Sequence, residues 1–204
     1  MNIPLAKENK RPIKELRDQL RRDQIVAAAR ACVVRHGFHA ASMGQIAAEA
    51  QMSVGQIYRY FPSKEAIVHA IVERIVAHRL EWMINRQERV DFAAVFANRT
   101  VIHKSDDEQS DRILLLEITA EATRNAAVAE IVREADRRIH TQAVALVRTD
   151  YPELSEEEAI ARVEFIAVLS EGTAFRRVTQ QRADPALLEA LYRDALGKAF
   201  PDPH

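Results

Sequence analysis

Glycine and proline are scarce in this chain, five and seven among 204 residues, and no segment alternates apolar with polar residues as a half-buried strand does. The single cysteine, Cys32, excludes an internal disulfide. No apolar run is long enough to cross a bilayer, and the charged start MNIPLAKENKR lacks the apolar core of a signal peptide, so a cytoplasmic protein without a membrane partner is expected. The histidines at 36, 39, 69, 78, 103 and 140 form no HExxH motif and no pair four residues apart, so no metal site is expected. Phosphate-cradling glycine loops, nucleophile elbows and dinucleotide fingerprints are all missing, which leaves no expected cofactor and argues against an enzyme.

What the chain has in quantity is Ala, Leu, Glu and Arg, and a hydrophobic content of 48% beside 29% charge. That composition suits an all-α globular fold. The net charge of -1 is unevenly divided. Through Lys64 there are eleven Lys or Arg against five Asp or Glu, a net +6, so the rest of the chain carries -7. A basic module that meets phosphates joined to an acidic module with another task fits that division. The boundary is placed between residues 1–66 and 67–204.

Within the basic part, Ile25, Ala28, Ala29, Cys32 and Val33 follow helical spacing up to Gly37, which stops the helix, and Phe38 is expected to plug a small core. Residues 42–66, SMGQIAAEAQMSVGQIYRYFPSKEA, then hold two short helical patterns across a tight turn. Ile46, Ala47 and Ala50 share one face of the first, Ser53 can cap the second, and Ile57, Tyr60 and Phe61 follow at helical spacing. The arrangement is a helix-turn-helix, whose second helix places its N-terminal residues at base edges in a major groove. Those residues are Val54, Gly55 and Gln56. Valine can touch a thymine methyl, glycine permits close backbone approach, and glutamine can grip adenine with both ends of its amide. Ser42 and Ser63 can cap helices, and Lys64 stands where free N–H groups already favour a phosphate. Seven basic residues in 7–22 form an arm that either lies along DNA or serves as a solubilising tail.

These residues resemble the TetR/AcrR family of bacterial transcriptional regulators. Its signature, Ile-Ala-x-x-Ala-Gly-Val-Ser-x-Gly-x-hydrophobic-Tyr-x-Tyr-Phe-x-x-Lys, stands here as IAAEAQMSVGQIYRYFPSK, and the likeness covers about 24–71. The resemblance implies that Tyr58 and Tyr60 bind backbone phosphates and that Arg59 reaches a base or a phosphate; Tyr60 has packing as its alternative. The glycine of the family's turn is replaced by Gln51, where a left-handed backbone would cost about 1 kcal/mol.

In the second part, a helix from Ser63 carries Ile67, Ile71, Ile75, His78 and Trp82 on one stripe. Further helices are predicted over about 91–98, 111–124 and 128–148, with KSDDEQSD as a charged loop before the second of these. Ser155 and Glu158 open a helix that is apolar nearly all round from Ala159 to Leu169 and is therefore expected to be buried on several sides. A last helix follows Pro185. Two such helices can pair with the same two of a second copy, making a homodimer by an intermolecular four-helix bundle.

The family resemblance further implies a small-molecule inducer held in a helix-walled cavity of the second module, whose binding misplaces the two DNA-binding heads. Candidate walls are His78, Trp82, Phe92, Phe96, Glu117, Glu121, Glu171 and Phe175. Acids beside aromatics suit an organic cation; pairing of Glu121 with Arg124 is the plainer alternative. The resulting expectation is a repressor that leaves a palindromic double-stranded operator when the inducer binds. A constitutive or activating DNA-binding regulator, or more remotely a helical-bundle enzyme, is the alternative.

Overall fold

A computed structural model describes residues 10–92, 94–96, 106–179 and 182–200, except the side chains of 10–12, 106–112, 174, 177 and 178. The described residues contain helices and no strand. The helices with both ends described are α1 (Lys10–Ala40), α2 (Met43–Glu49), α3 (Val54–Tyr60), α4 (Lys64–Asn85), α5 (Asp106–Ala122), α6 (Ala126–Asp150), α7 (Glu156–Val178) and α8 (Pro185–Ala199); residues 92 and 94–96 are helical too, while 97 and 98 of the helix predicted there lie outside the described residues. Two compact units result, one of Met1–Glu73 with Glu117–Val132, the other of Arg74–Leu116 with Arg133–His204. Residues 117–132 thus join the helix-turn-helix unit although they lie far along the chain.

In the first unit, Ile25, Ala29, Cys32 and Val33 of α1 are buried together with Phe38, Ile46, Ala47, Ile57 and Phe61. Full burial of a side chain such as Ile57 contributes about 2 kcal/mol, so a unit this small depends on each of them. Gly37, at φ 79 and ψ 160, breaks α1, and the helix resumes for one turn beyond it. The short α2 and α3 both start with capping boxes, Ser42 with Gln45 and Ser53 with Gln56. Ser63 accepts the Ala66 N–H at the start of α4.

The second unit has its own core: Phe96, Val147, Tyr151, Ala159, Val163, Leu196 and Phe200. Phe92 stacks on Phe200 at 4.5 Å, and Phe96 meets Tyr192 at 5.7 Å. Arg162 of α7 donates to the Ala199 carbonyl at 2.6 Å, holding the end of α8. Arg86, just past α4, forms a well-buried 2.6 Å ion pair with Asp150 at the end of α6.

Two expectations from the sequence are corrected. The charged run expected as a loop is helical from Asp106 onward; acidic residues at a helix start favour the positive end of its dipole, which outweighs their polarity as a loop signal. The segment from Ala159 to Leu169 buries one face only: Ala159 and Val163 enter the core, whereas Ile160, Phe165 and Val168 are exposed in the single chain.

Candidate nucleic-acid interface

The turn between α2 and α3 is built by backbone hydrogen bonds from Met52 N–H to the Ala47 carbonyl (2.9 Å) and from Gln51 N–H to the Ala48 carbonyl (3.0 Å). This pair of bonds ends a helix through a left-handed residue, commonly glycine. Here that residue is Gln51, at φ 53. The same corner is pinned from α1, where Gln24 donates to the Ala50 carbonyl. Arg35 of α1 also forks onto both oxygens of Glu49 at 3.0 and 3.2 Å.

With the turn fixed, Ile57 points into the core while Val54, Gly55, Gln56, Tyr58 and Arg59 are exposed. Val54 and Tyr58 are 42% and 51% exposed, a cost in apolar surface that packing within the unit does not explain. No heavy atom lies within 4 Å of where a Cβ on Gly55 would stand, so nothing inside the protein requires glycine there. Gln56 is partly committed: its carbonyl oxygen accepts the Ser53 N–H at 2.8 Å. A two-ended grip on adenine therefore requires release of that cap. Ser42 is exposed, its hydroxyl accepting the Gln45 N–H at 3.2 Å.

Tyr60 and Lys64 face inward more than their neighbours. The Tyr60 ring is half-buried and its hydroxyl lies 3.4 Å from Asp18 of α1, while Arg59 lies 5.7 Å over the ring. Lys64 donates its ammonium to the Phe38 carbonyl and sits 4.1 Å over the Phe38 ring. Burial pushes the Lys64 ammonium down from its usual value, opposed by the nearby Glu121 and Glu65 carboxylates. The Phe38 carbonyl takes one of the three ammonium donors of Lys64. One turn beyond Asp18, Arg22 lies 5.2 Å over the Phe61 ring, so the basic arm is fastened against the end of α3. The sequence carries no signal for Asp18 and Arg22 in this role, because both sit among exposed charges on α1.

The candidate ligand walls are dispersed. Phe92 packs against the core of the second unit and Phe96 lies within it, where Tyr151, Tyr192 and Phe200 also fill the interior. His78, Trp82, Glu171 and Phe175 are exposed, so an acid at 171 is met by solvent and needs no partner in the chain. Glu117 and Glu121 belong to the first unit. There Glu117 accepts the Phe38 N–H at 3.0 Å and Glu121 pairs with Arg124 at 2.6 Å. A surface cleft of about 300 Å³ in the second unit is lined instead by Leu80, Arg137, Arg138, Thr141 and Gln142. In the sequence these polar residues of α6 look like any solvated helix face. Among the described residues no cluster of three or more metal-ligating side chains occurs, and no helix is long and apolar enough to cross a membrane.

The arrangement corresponds to known proteins. Residues 25–71 match the bacterial regulatory proteins of the tetR family. The chain is 34% identical over 116 residues to the HTH-type transcriptional regulator UidR of Escherichia coli K12, an alignment covering 55% of this chain and 57% of that protein. It thus spans little more than half the length of the curated relatives it matches. Among solved structures, Salmonella enterica GusR superposes with a TM-score of 0.69 at 24% identity, over 86% of this chain and 95% of its own. A transcriptional regulator from Saccharomonospora viridis, solved in complex with choline, gives 0.65 at 19% identity, over 86% and 94%. These structural likenesses extend the shared helical fold into the second unit. With the exposed helix α3 and the left-handed turn before it, residues 25–71 form a helix-turn-helix domain like that of the bacterial regulatory proteins of the tetR family.

Proposed function

We propose that the protein is a homodimeric transcriptional repressor that binds a palindromic operator through α3 and leaves it when a small molecule occupies the second unit. The observation that carries the reading is the exposed front of α3, where Val54, Gly55 and Tyr58 are held outward by a core-facing Ile57. Val54, Gly55, Gln56 and Arg59 read bases, while Tyr58, Ser42 and Lys64 meet phosphates, joined by Tyr60 where it gives up its contact with Asp18. The basic residues of α1 supply further charge along the same edge, since Arg22 and Asp18 already touch the end of α3.

Pairing of two copies through α7 and α8 is supported by their exposed apolar residues. Val168 and Phe175 share one stripe of α7, 57% and 55% exposed, and Leu187 and Leu191 on α8 are 68% and 66% exposed. A dimer sets two α3 helices against successive major grooves about 34–36 Å apart, so a small rotation of one head is enough to release DNA. Ligand response is supported by the choline held by the Saccharomonospora viridis regulator, which shares this helical fold. His78, Trp82, Phe92, Phe96, Glu171 and Phe175 remain proposed contributors only where the second unit rearranges around a ligand. Glu117 and Glu121 would contribute by giving up their contacts in the first unit.

Selection of duplexes from a random pool by the full-length protein tests the reading. An inverted repeat enriched over the pool, bound with a steep dependence on salt, is the expected result. Failure to enrich any sequence would reject it.

A further inference from the structure

We propose that Glu117 is a positioning residue for DNA binding, acting through the backbone of Phe38. This rests on the DNA-binding reading above. Gly37 breaks α1, so the Phe38 N–H has lost its place in the helical ladder and opens a new turn, closed by the 3.2 Å bond from Ala41 N–H to the Gly37 carbonyl. A donor orphaned in this way, on a residue only 3% exposed, needs an acceptor. The carboxylate of Glu117, 79 residues away in sequence, supplies it at 3.0 Å. Bonds to a charged acceptor are roughly twice as strong as neutral ones.

The other side of the same residue is held by the opposite charge. Lys64, at the start of α4, donates to the Phe38 carbonyl. Phe38 is therefore gripped at its N–H by α5 and at its C=O by α4, and its ring is buried beneath the lysine. Only a few residues separate it from Ser42, the cap of α2, and α2 carries α3 through the turn at Gln51. A change in the direction of the chain at Phe38 is passed on to α3 with little slack between. Gly37 is itself fitted to this contact: a Cβ there would stand 3.3 Å from the Glu117 carboxylate oxygen, and the positive φ already disfavours a side chain.

The test compares Glu117→Ala with Glu117→Gln, the second of which keeps an acceptor oxygen. Binding is measured on the duplex that the wild type selects from a random pool, and exchange of the Phe38 amide hydrogen is followed in all three proteins. Glu117→Ala is expected to bind about tenfold more weakly and Glu117→Gln within about threefold of wild type, as loss of one buried hydrogen bond predicts. The Phe38 amide should be protected in the wild type and in Glu117→Gln and exposed in Glu117→Ala, with the α3 amides unchanged. If Glu117→Ala does not fold, Glu117→Asp, which withdraws the carboxylate, takes its place. Wild-type affinity in the alanine variant, equal weakness of both variants, or a Phe38 amide that exchanges alike in all three would overturn the proposal. A wild type that selects no duplex would instead overturn the DNA-binding reading and leave the exchange result standing.

Discussion

Gln24 reaches from α1 to the Ala50 carbonyl at 2.7 Å, and the residue that follows Ala50 is Gln51, the sole described non-glycine with positive φ. The turn before the recognition helix is thus held in a strained conformation by its neighbours rather than by a permissive residue. Gln51→Gly removes the strain, and a gain of about 0.5–1 kcal/mol is expected, worth a few degrees in melting temperature for a chain of this size. Calorimetry checks it. A glycine variant that melts at or below the wild-type temperature would show that the turn stores no strain at this position.

The start of α4 makes a pH prediction. The Glu65 carboxyl is held below its usual range first by its own backbone N–H and then by the Ser63 hydroxyl, against the opposing effect of burial. A carboxyl depressed in the folded state stabilises above its ordinary pKa and loses that contribution as pH falls through the depressed value. Glu65→Gln should therefore lower stability near neutral pH by about 0.5 kcal/mol, in keeping with an acid in the first turn of a helix. The gap between variant and wild type should close in acid, below about pH 4. Denaturant titrations at several pH values measure it, and a gap that stays constant would assign the effect to something other than ionisation.

The exposed stripe on α7 makes a prediction about assembly. The wild type should sediment at twice its 23.1 kDa chain mass. Val168→Glu should shift it towards the single chain, because a carboxylate put in place of an apolar seam residue and left without a partner costs several kcal/mol. Glu171→Gln should leave the dimer intact. A wild type that sediments as one chain at micromolar concentration would remove the assembly from the account.

The helix-turn-helix was legible in the sequence because its signals are local. Ser42 and Ser53 each lie three residues before a glutamine, Ile46 and Ile57 mark the buried faces, and Gln51 departs from the family's turn glycine at the residue whose φ is positive. The stripe Ile67, Ile71 and Ile75 was legible for the same reason, although its burial stops before His78 and Trp82. The fate of Glu117 was not legible. Its partner Phe38 offers only a backbone N–H, which exists at every residue but proline, so nothing in the side chains marks the pair. Glu121, in contrast, had its partner Arg124 three residues away, and the helix spacing exposes it. The apolar residues of α7 misled in one respect: a sequence shows that a face is apolar but not whether its cover comes from the same chain.

Gly55→Ala on the selected duplex tests the central claim, that the front of α3 meets DNA, most directly. Glycine is a poor helix former, and an added methyl at this position finds open space, so the alanine variant should be as stable as the wild type or more so, by up to about 1 kcal/mol. Stability and binding should therefore part. The account predicts that the duplex affinity of this equally or more stable protein falls at least about tenfold, because the methyl occupies the space into which the DNA must come. Full affinity in a folded Gly55→Ala variant would contradict it.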